Sequence, residues 1–363
     1  MVVTLEEILI ERIRENGPLS IGEYMEQALA HPKHGYYMRR DPFGVDGDFI
    51  TAPEVSQMFG ELIGLWAGVA WRMAGSPSTV NLVELGPGRG TLMADMLRVA
   101  RLVDEFSDAV EVHMVETSLV LRQMQETALQ GTALQQEPVW HQALADVPEG
   151  PSIIIANEFF DALPIEQYFH AGDYWCPRMV DINAEGDGLC FVLLPPYGAP
   201  ELPPGLMDAP PDVMVEFCPP ALDIAEDITR RITEQGGAAL FIDYGHAESE
   251  PGETLQALKN HKYHDPLNTP GEADLTAHVD FGALAQRVSA AGGRALGPVT
   301  QSHFLQTLGI AERAQMLREN ASFEQADEIG RALLRLTDEN EMGELFKVMT
   351  VTPLDAPVPP GFE

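Results

Sequence analysis

The sequence predicts a doubly wound α/β fold, in which helices cover both faces of a mostly parallel sheet. From residue 79 onward, short apolar segments alternate with longer segments whose apolar residues recur at helical spacing. Such alternation is typical of parallel sheets, because each crossover helix returns the chain to the same end of the sheet. A glycine-rich turn follows the first of these strands and a carboxylate follows the second, which is where this class of fold binds ligands.

Seven segments are predicted to form the strands of the sheet, since each is short, apolar and bounded by turn residues. The predicted strands are 79–86, 109–116, 138–141, 151–158, 237–245, 295–301 and 345–353. Helices are predicted at 90–103, 118–129 and 279–293, and a helical segment at 304–339 separates the last two strands.

The N-terminal part of the chain is predicted to be helical around one long loop. Capping boxes at Thr4–Glu7 and Ser20–Glu23 predict two helix starts, because the paired side chains satisfy free backbone N–H groups. Residues 31–55 are rich in Gly, Pro and aromatic residues and show no periodicity, and a helix resumes near Ser56. Loops of this length often serve as lids over a site.

A β-rich insertion is predicted after the fourth strand. Residues 165–194 have the pattern of an antiparallel meander, and a Pro-rich loop follows it. The expected parts are a helical cap with the lid loop (1–75), the first part of the core (76–164), the meander and Pro-rich insertion (165–212), and the remainder of the core with its helical insertion (213–363).

The overall composition is that of a globular protein. Of the 363 residues, 45% are hydrophobic and 21% are charged. No stretch approaches the ~20 apolar residues of a membrane-spanning helix, so membrane insertion is not expected. The N-terminal residues are rich in glutamate and lack an uninterrupted apolar segment, so we expect a cytoplasmic protein.

The negative charge of the chain limits its partners. Asp and Glu total 56 against 22 Lys and Arg, which gives a net charge of −34. Such a field repels nucleic acid and attracts a cationic partner, although solubility alone explains it equally well. The three cysteines form no CxxC pair, and no histidine cluster has a complete set of metal ligands at suitable spacing, so no metal site is expected.

The most specific local motif is the glycine-rich turn between the first strand and the first helix. Its glycines let the backbone approach a ligand closely, next to free N–H groups at the helix N-terminus. The GxGxG spacing differs from the GxGxxG of dinucleotide-binding loops. It is similar to motif I of class I methyltransferases, which implies S-adenosylmethionine as the ligand, although a plain tight turn is an alternative. The residues expected at the cofactor are Glu84, Gly86, Pro87, Gly88, Gly90 and Thr91.

Two residues at later strand ends are predicted to complete the cofactor site. Glu116 ends the second strand, where an acidic residue in this fold accepts hydrogen bonds from both ribose hydroxyls. His141 follows the third strand and is expected to border the adenine, although an ordinary surface histidine is an alternative.

The end of the fourth strand is predicted to face the transferred methyl group. Ligands in open α/β sheets bind beyond the carboxyl ends of the strands, beside the point where strand order reverses. Asn157 is therefore expected at the cofactor, with Glu158 and Asp161 as the catalytic pair. Two carboxylates suit a guanidinium, which they bind in bidentate fashion and whose proton they can accept. Alternatively, Asp161 caps a helix that begins at Ala162.

Five further polar residues are expected in a lid or at the acceptor. Thr51, Glu54 and Gln57 precede an apolar helix and either belong to a lid or form helix caps. Asp243 and Tyr244 end the fifth strand and either line the acceptor pocket or form a structural turn.

Across nearly its whole length, the chain resembles the MidA family, which includes the mitochondrial complex I assembly arginine methyltransferase. The similar blocks are GDFITAPEVSQMFGE, LVELGPGRGTLMADMLR, VETSLVLRQMQ, ANEFFDALP, FIDYGH, DLTAHVDF and QSHFLQTLGI. The resemblance implies a seven-stranded class I methyltransferase sheet, S-adenosylmethionine as cofactor and an arginine acceptor. By this resemblance, the motif residues of the family correspond to Gly86, Gly88, Gly90, Glu116, Asn157, Glu158 and Asp161.

The resemblance also implies a client protein. Mitochondrial members are associated with symmetric dimethylation of an arginine on the 49-kDa-type subunit of complex I during assembly. The equivalent NADH-quinone oxidoreductase subunit is therefore the expected partner. Two other hypotheses stay open: a methyltransferase for another protein side chain or a small molecule, and a non-catalytic assembly chaperone that binds S-adenosylmethionine.

Overall fold

The structure, a computed structural model, describes residues 3–39, 51–132, 136–196 and 200–363. Residues 40–50 of the predicted lid loop lie outside these ranges. The helices are α1 (Leu5–Asn16), α2 (Ile21–Ala30), α3 (Tyr36–Arg39), α4 (Ala52–Val55), α5 (Gln57–Met73), α6 (Thr91–Ala100), α7 (Phe106–Ala109), α8 (Leu119–Ala128), α9 (Pro219–Gln235), α10 (Phe281–Ala290), α11 (Gln301–Thr307), α12 (Ile310–Glu319), α13 (Phe323–Thr337) and α14 (Met342–Leu345).

The strands include every segment that was predicted for the main sheet. They are β1 (Leu19–Ser20), β2 (Val80–Leu85), β3 (Val110–Val115), β4 (Val139–His141), β5 (Ser152–Asn157), β6 (Glu166–His170), β7 (Trp175–Ile182), β8 (Leu189–Leu193), β9 (Met214–Phe217), β10 (Gly237–His246), β11 (Gln256–Lys259), β12 (Lys262–His264), β13 (Asp274–Thr276), β14 (Val279–Asp280), β15 (Arg294–Thr300) and β16 (Phe346–Thr352). Within the described residues, no helix is long and apolar enough to cross a bilayer.

Contacts between residues divide the chain into two compact units. Unit 1 comprises 1–49, 160–224 and 246–284, and unit 2 comprises 50–159, 225–245 and 285–363. This division differs from the four consecutive parts expected from the sequence. The N-terminal helices group with the meander, because β1 pairs with β7 although the two strands are far apart along the chain.

Unit 2 contains the predicted doubly wound sheet. Its strands follow the order β15-β16-β10-β5-β2-β3-β4. Neighbouring strands from β10 to β4 are parallel, whereas β16 runs antiparallel to both β10 and β15. Leu85 pairs with Val115 on one side and with Ala156 on the other, so the carboxyl ends of three central strands lie side by side. The residues that follow these strands are thereby brought to one edge.

Helix α5 packs closely on α6, the helix that begins at the glycine-rich turn. Two glycines on α5, Gly60 and Gly64, form the contact with α6, and a third at the same four-residue spacing, Gly68, faces Val103 beyond the end of α6. A Cβ atom at Gly64 would lie 2.7 Å from the Cα atom of Met96, so a larger residue does not fit without a shift of the backbone. These glycines therefore set how closely α6 packs on α5, and so they also set the position of the glycine-rich turn that precedes α6.

Unit 1 combines the N-terminal helices with two small antiparallel sheets. Both predicted capping boxes are present, at Thr4–Glu7 and Ser20–Glu23. The predicted meander forms β6, β7 and β8, and β9 and β1 extend it into a sheet. A second sheet of β12, β11 and β13 was not predicted.

Candidate functional site

The glycine-rich turn has the backbone conformation that its sequence motif requires. Gly86, Gly88 and Gly90 have φ angles of 59°, 52° and 83°, in the left-handed region that residues with a Cβ atom rarely adopt. A Cβ at Gly86 would lie 2.9 Å from the Phe159 ring, and one at Gly90 would lie 3.1 Å from the Cα of Gln125. These tight contacts leave no room for a side chain at Gly86 or Gly90, so the turn exposes bare backbone at both positions.

Glu84 lies near the end of β2, just before this turn, and its carboxyl group is buried. Burial raises its pKa well above the usual range, and a hydrogen bond from the Met93 backbone opposes the rise. Its Oε2 atom is buried and has no hydrogen-bond partner among the described residues. An unpaired buried polar atom is costly, and the predicted place of Glu84 at the cofactor stays a prediction.

Glu116 lies just beyond β3 with its carboxylate held by two donors. Its Oε1 accepts a hydrogen bond from the backbone N–H of Ser118 at 2.7 Å, and its Oε2 accepts one from Gln125 at 3.1 Å. Burial raises the pKa of Glu116, while these hydrogen bonds and Arg122 oppose the rise. Each carboxylate oxygen can accept a second hydrogen bond, so the predicted contact with two ribose hydroxyls is chemically available.

His141 is paired with a second histidine that the sequence did not single out. Its Nε2 atom lies 2.9 Å from Nδ1 of His113, whose Nε2 atom lies 3.1 Å from Oδ1 of Asn81. Burial lowers the pKa of both rings, that of His113 to about 4, so the pair is neutral near pH 7. The predicted place of His141 beside the adenine stays a prediction.

Glu158 follows β5 with an unusual backbone conformation. Its φ angle is 49°, which is strained for a residue with a Cβ and is found most often at functional sites. Its Oε1 accepts hydrogen bonds from the Ala52 backbone at 3.0 Å and from the Asn157 side chain at 3.2 Å. The Oδ1 of Asn157 is buried and has no partner among the described residues. The structure thus brings these two predicted site residues together.

Asp243 braces the chain around Glu158. Its carboxylate is fully buried and accepts a hydrogen bond from the backbone N–H of Phe159 at 3.2 Å and another from Tyr244 at 3.0 Å. The backbone N–H of Glu158 also donates to Ile242 at 2.9 Å. These contacts favour the structural alternative for Asp243, while a place for Tyr244 at the acceptor stays a prediction.

Asp161 belongs to unit 1 and does not cap a helix. Residues 161–163 form a turn and no helix begins at Ala162, so the capping alternative is wrong. The side chain is 7% exposed, and its backbone carbonyl accepts a hydrogen bond from Ala277 at 2.9 Å. Burial, then the carboxylates of Asp274 and Asp161, raise the pKa of Tyr37. Neither Tyr37 nor Asp274 was expected near Asp161, because neither stands at the end of a main-sheet strand.

The predicted lid residues have different surroundings. Glu54 contacts the glycine-rich turn, since its carboxylate accepts hydrogen bonds from Thr91 at 2.5 Å and from Arg89 at 3.3 Å. Thr51 stands at the N-cap of α4, but its side chain makes no capping hydrogen bond. Gln57 is exposed and donates to Glu61 on its own helix at 3.4 Å. Glu54 is therefore the predicted lid residue whose side chain is seen to contact the turn in the described part of the chain.

Comparisons with known proteins identify the family to which the chain belongs. A family described as S-adenosyl-L-methionine-dependent methyltransferases matches residues 62–299. Protein arginine methyltransferase NDUFAF7, mitochondrial, of Xenopus tropicalis is 40% identical in an alignment of 372 positions that covers 95% of this chain and 85% of that one. The Homo sapiens protein of the same name is 37% identical, with 95% and 82% covered.

The names of these relatives contradict one prediction. Both relatives are named as mitochondrial proteins, so the expectation of a cytoplasmic location is wrong. That expectation rested on the acidity of a short N-terminal segment, which is a local property and does not report where a folded protein works.

A solved structure gives the same result for the fold and the cofactor. A COG1565 superfamily member from Burkholderia thailandensis, bound to S-adenosyl-homocysteine, matches 99% of this chain and 92% of its own at a TM-score of 0.82 and 28% identity. The predicted class I methyltransferase fold and the predicted cofactor are thereby confirmed. The chain belongs to this family of S-adenosyl-L-methionine-dependent methyltransferases.

Proposed function

We propose that the chain transfers the methyl group of S-adenosylmethionine to an arginine side chain of a protein. The observation that carries this proposal is the Glu158 carboxylate, which is held in a strained conformation at the strand end next to the glycine-rich turn. Strain of ~1–3 kcal/mol persists where the surroundings impose it, and it is concentrated at functional sites. The arginine acceptor is supported by the names of the relatives, which are protein arginine methyltransferases.

The cofactor supplies an electrophilic methyl carbon on a sulfonium. Glycines 86, 88 and 90, with Glu84, Pro87, Thr91 and Asn157, hold its amino-acid part, Glu116 holds its ribose and His141 borders its adenine. The substrate guanidinium docks on Glu158, which localises its positive charge away from the attacking nitrogen, and the resemblance to the family makes Asp161 the second candidate carboxylate. That nitrogen forms the new N–C bond, the S–C bond breaks with its electron pair on sulfur, and the nitrogen's proton passes to a carboxylate.

The finer identity of the client is also proposed. On the resemblance to the MidA family, the substrate is the 49-kDa-type subunit of NADH-quinone oxidoreductase and the product is symmetric dimethylarginine. The acidic surface favours such a substrate, because a net charge of −34 attracts a basic segment of a protein.

Transfer of labelled methyl groups tests the proposal. The purified chain is incubated with S-adenosylmethionine labelled in its methyl group and with the purified 49-kDa-type subunit, and label in protein is counted. We expect label with the wild-type chain and a loss of ~100-fold or more for Glu158→Gln, because a neutral amide no longer accepts the proton.

The matched control is Glu126→Gln, which removes an exposed carboxylate from α8 and is expected to leave transfer unchanged. Calorimetry shows whether Glu158→Gln still binds S-adenosylmethionine. Full transfer activity in Glu158→Gln would remove that residue from the catalytic site.

A further inference from the structure

Gln125 is a buried polar residue in an unexpected place. It lies on α8, is 0% exposed, and shares the buried face of that helix with Leu121, one turn earlier. A polar side chain is costly to bury unless all of its polar groups are hydrogen-bonded. An apolar residue would pack at this position at lower cost, so the amide group is expected to have a role beyond packing.

The Gln125 amide has three hydrogen bonds. Its Nε2 group donates to the Gly88 carbonyl at 2.8 Å and to Oε2 of Glu116 at 3.1 Å, and its Oε1 accepts from the Trp140 indole at 2.8 Å. An indole N–H is only a donor, whereas a carbonyl and a carboxylate are only acceptors. The chemistry of the partners therefore fixes the orientation of the amide.

The backbone of α8 is locked to the glycine-rich turn at the same point. A Cβ at Gly90 would lie 3.1 Å from the Cα of Gln125, so the turn and the helix touch through backbone atoms. One amide nitrogen thus connects the carbonyl of Gly88, in the turn, to the carboxylate of Glu116, at the next strand end.

We propose that Gln125 is a positioning residue, which sets the spacing between the glycine-rich turn and the Glu116 carboxylate and so lets both hold one S-adenosylmethionine molecule. This inference rests on the proposed cofactor site. Holding both groups before the ligand arrives removes the cost of ordering them on binding. The hydrogen bond from Gln125 also favours the ionised form of Glu116, the better acceptor for ribose hydroxyls.

The positioning role predicts a specific pattern of binding. Gln125 contacts the turn and the Glu116 carboxylate, both away from the transferred methyl group. Its loss should therefore weaken the binding of S-adenosylmethionine and of S-adenosyl-homocysteine equally. We expect Gln125→Met, which keeps the length of the side chain, to raise both dissociation constants by about tenfold in calorimetric titrations. In steady-state assays, the rise in KM for S-adenosylmethionine exceeds any fall in kcat.

Two comparisons separate this role from general stability. Gln123→Met, an exposed position on the same helix, leaves both dissociation constants unchanged. Thermal unfolding of the free protein shows whether Gln125→Met is folded at the temperature of the titration. If it is not, Trp140→Phe replaces it, because this variant keeps Gln125 and an aromatic ring but removes the donor that orients the amide. For that variant we expect a rise of about threefold in both dissociation constants.

The outcomes also separate failure of this inference from failure of the proposed site. A folded Gln125→Met, or failing that Trp140→Phe, with the affinity of the wild type would overturn the positioning role, provided that Glu116→Ala weakens binding. Unchanged affinity in Glu116→Ala itself would place the ribose elsewhere, and the inference would fall with the site. Unequal losses for the two ligands would assign Gln125 to the methyl-transfer step instead.

Discussion

Buried polar side chains at the strand ends are the residues on which the proposed site depends most. Glu116 is 8% exposed, and burial raises its pKa from the ordinary value. The predicted hydrogen bonds from the ribose hydroxyls require the ionised carboxylate of Glu116. Protonation turns one of its oxygens into a donor, so fewer acceptors remain for the ribose. The proposed ribose contact therefore makes the affinity for S-adenosylmethionine depend on the charge of Glu116.

We predict that this affinity falls as the pH is lowered, and that the fall begins above the pH range of an ordinary glutamate. Arg122 favours the ionised form of Glu116, and burial lowers the pKa of the His113 and His141 rings. Calorimetric titrations at several pH values measure the effect. In Glu116→Gln the affinity is lower and nearly independent of pH. A persisting pH dependence in that variant would assign it to the histidine pair.

A second prediction at this scale concerns Asp161. Asp161→Ala is expected to bind S-adenosylmethionine with the affinity of the wild type and to lose ~100-fold or more of its transfer rate, because only the acceptor's charge is left uncompensated. Equilibrium binding and labelled-methyl transfer, measured on one preparation, separate the two effects. Normal transfer by the variant would leave Asp161 with a purely structural role.

The sequence predicted the residues that stand at strand ends, because the edge of a parallel sheet is where such a fold binds ligands. Glu116 and Glu158 follow from this rule. Asp243 was also named from a strand end, but its bracing contact with Phe159 was not, and Gln125 was not named at all, since both contacts join groups far apart in the chain. Such contacts depend on how helices and strands pack, and no local pattern reports them.

At the scale of elements, the contact between α5 and α6 determines where the glycine-rich turn lies. We predict that Gly64→Ala destabilises the protein by ~1–3 kcal/mol, because the new Cβ would lie 2.7 Å from backbone atoms of Met96. The shift of α6 that accommodates the methyl group should also weaken S-adenosylmethionine binding. Thermal unfolding and calorimetry measure the two effects.

Gly330 provides the matched control for this prediction. It lies within α13, and a Cβ there would meet nothing within 4 Å, so Gly330→Ala gains helix propensity without a clash. This variant is expected to stabilise the protein by ~0.5–1 kcal/mol. Equal effects of the two substitutions would mean that the α5–α6 contact adapts freely.

Local patterns predicted the elements that have strong local signals. The capping boxes, the glycine-rich turn and the apolar strands of the main sheet were found where expected. The short strands β1, β9 and β11 to β13 were not predicted, because a strand of a few residues is stabilised by its partner rather than by its own sequence. The grouping of the N-terminal helices with the meander follows from one such pairing.

At the scale of the whole molecule, the net charge of −34 is the feature that favours a basic protein substrate. We predict that the affinity for a basic, arginine-containing segment of the substrate falls steeply as salt is added, because attraction between exposed charges is screened over ~8–10 Å at physiological ionic strength. The affinity for S-adenosylmethionine should change little, because the side chains proposed to bind its ribose and amino-acid part are mostly buried. Titrations of both ligands at increasing salt compare the two, and equal salt dependence would speak against electrostatic recruitment.

Tandem mass spectrometry of the 49-kDa-type subunit after reaction tests the central claim most directly. The subunit is incubated with S-adenosylmethionine and either the wild-type chain or Glu158→Gln, and its peptides are sequenced. We predict added methyl groups on the side chain of one arginine with the wild type and none with the variant. Methylation of a different residue type, or an unmodified subunit despite saturating S-adenosylmethionine on a folded wild-type chain, would contradict the proposed methylation of this client.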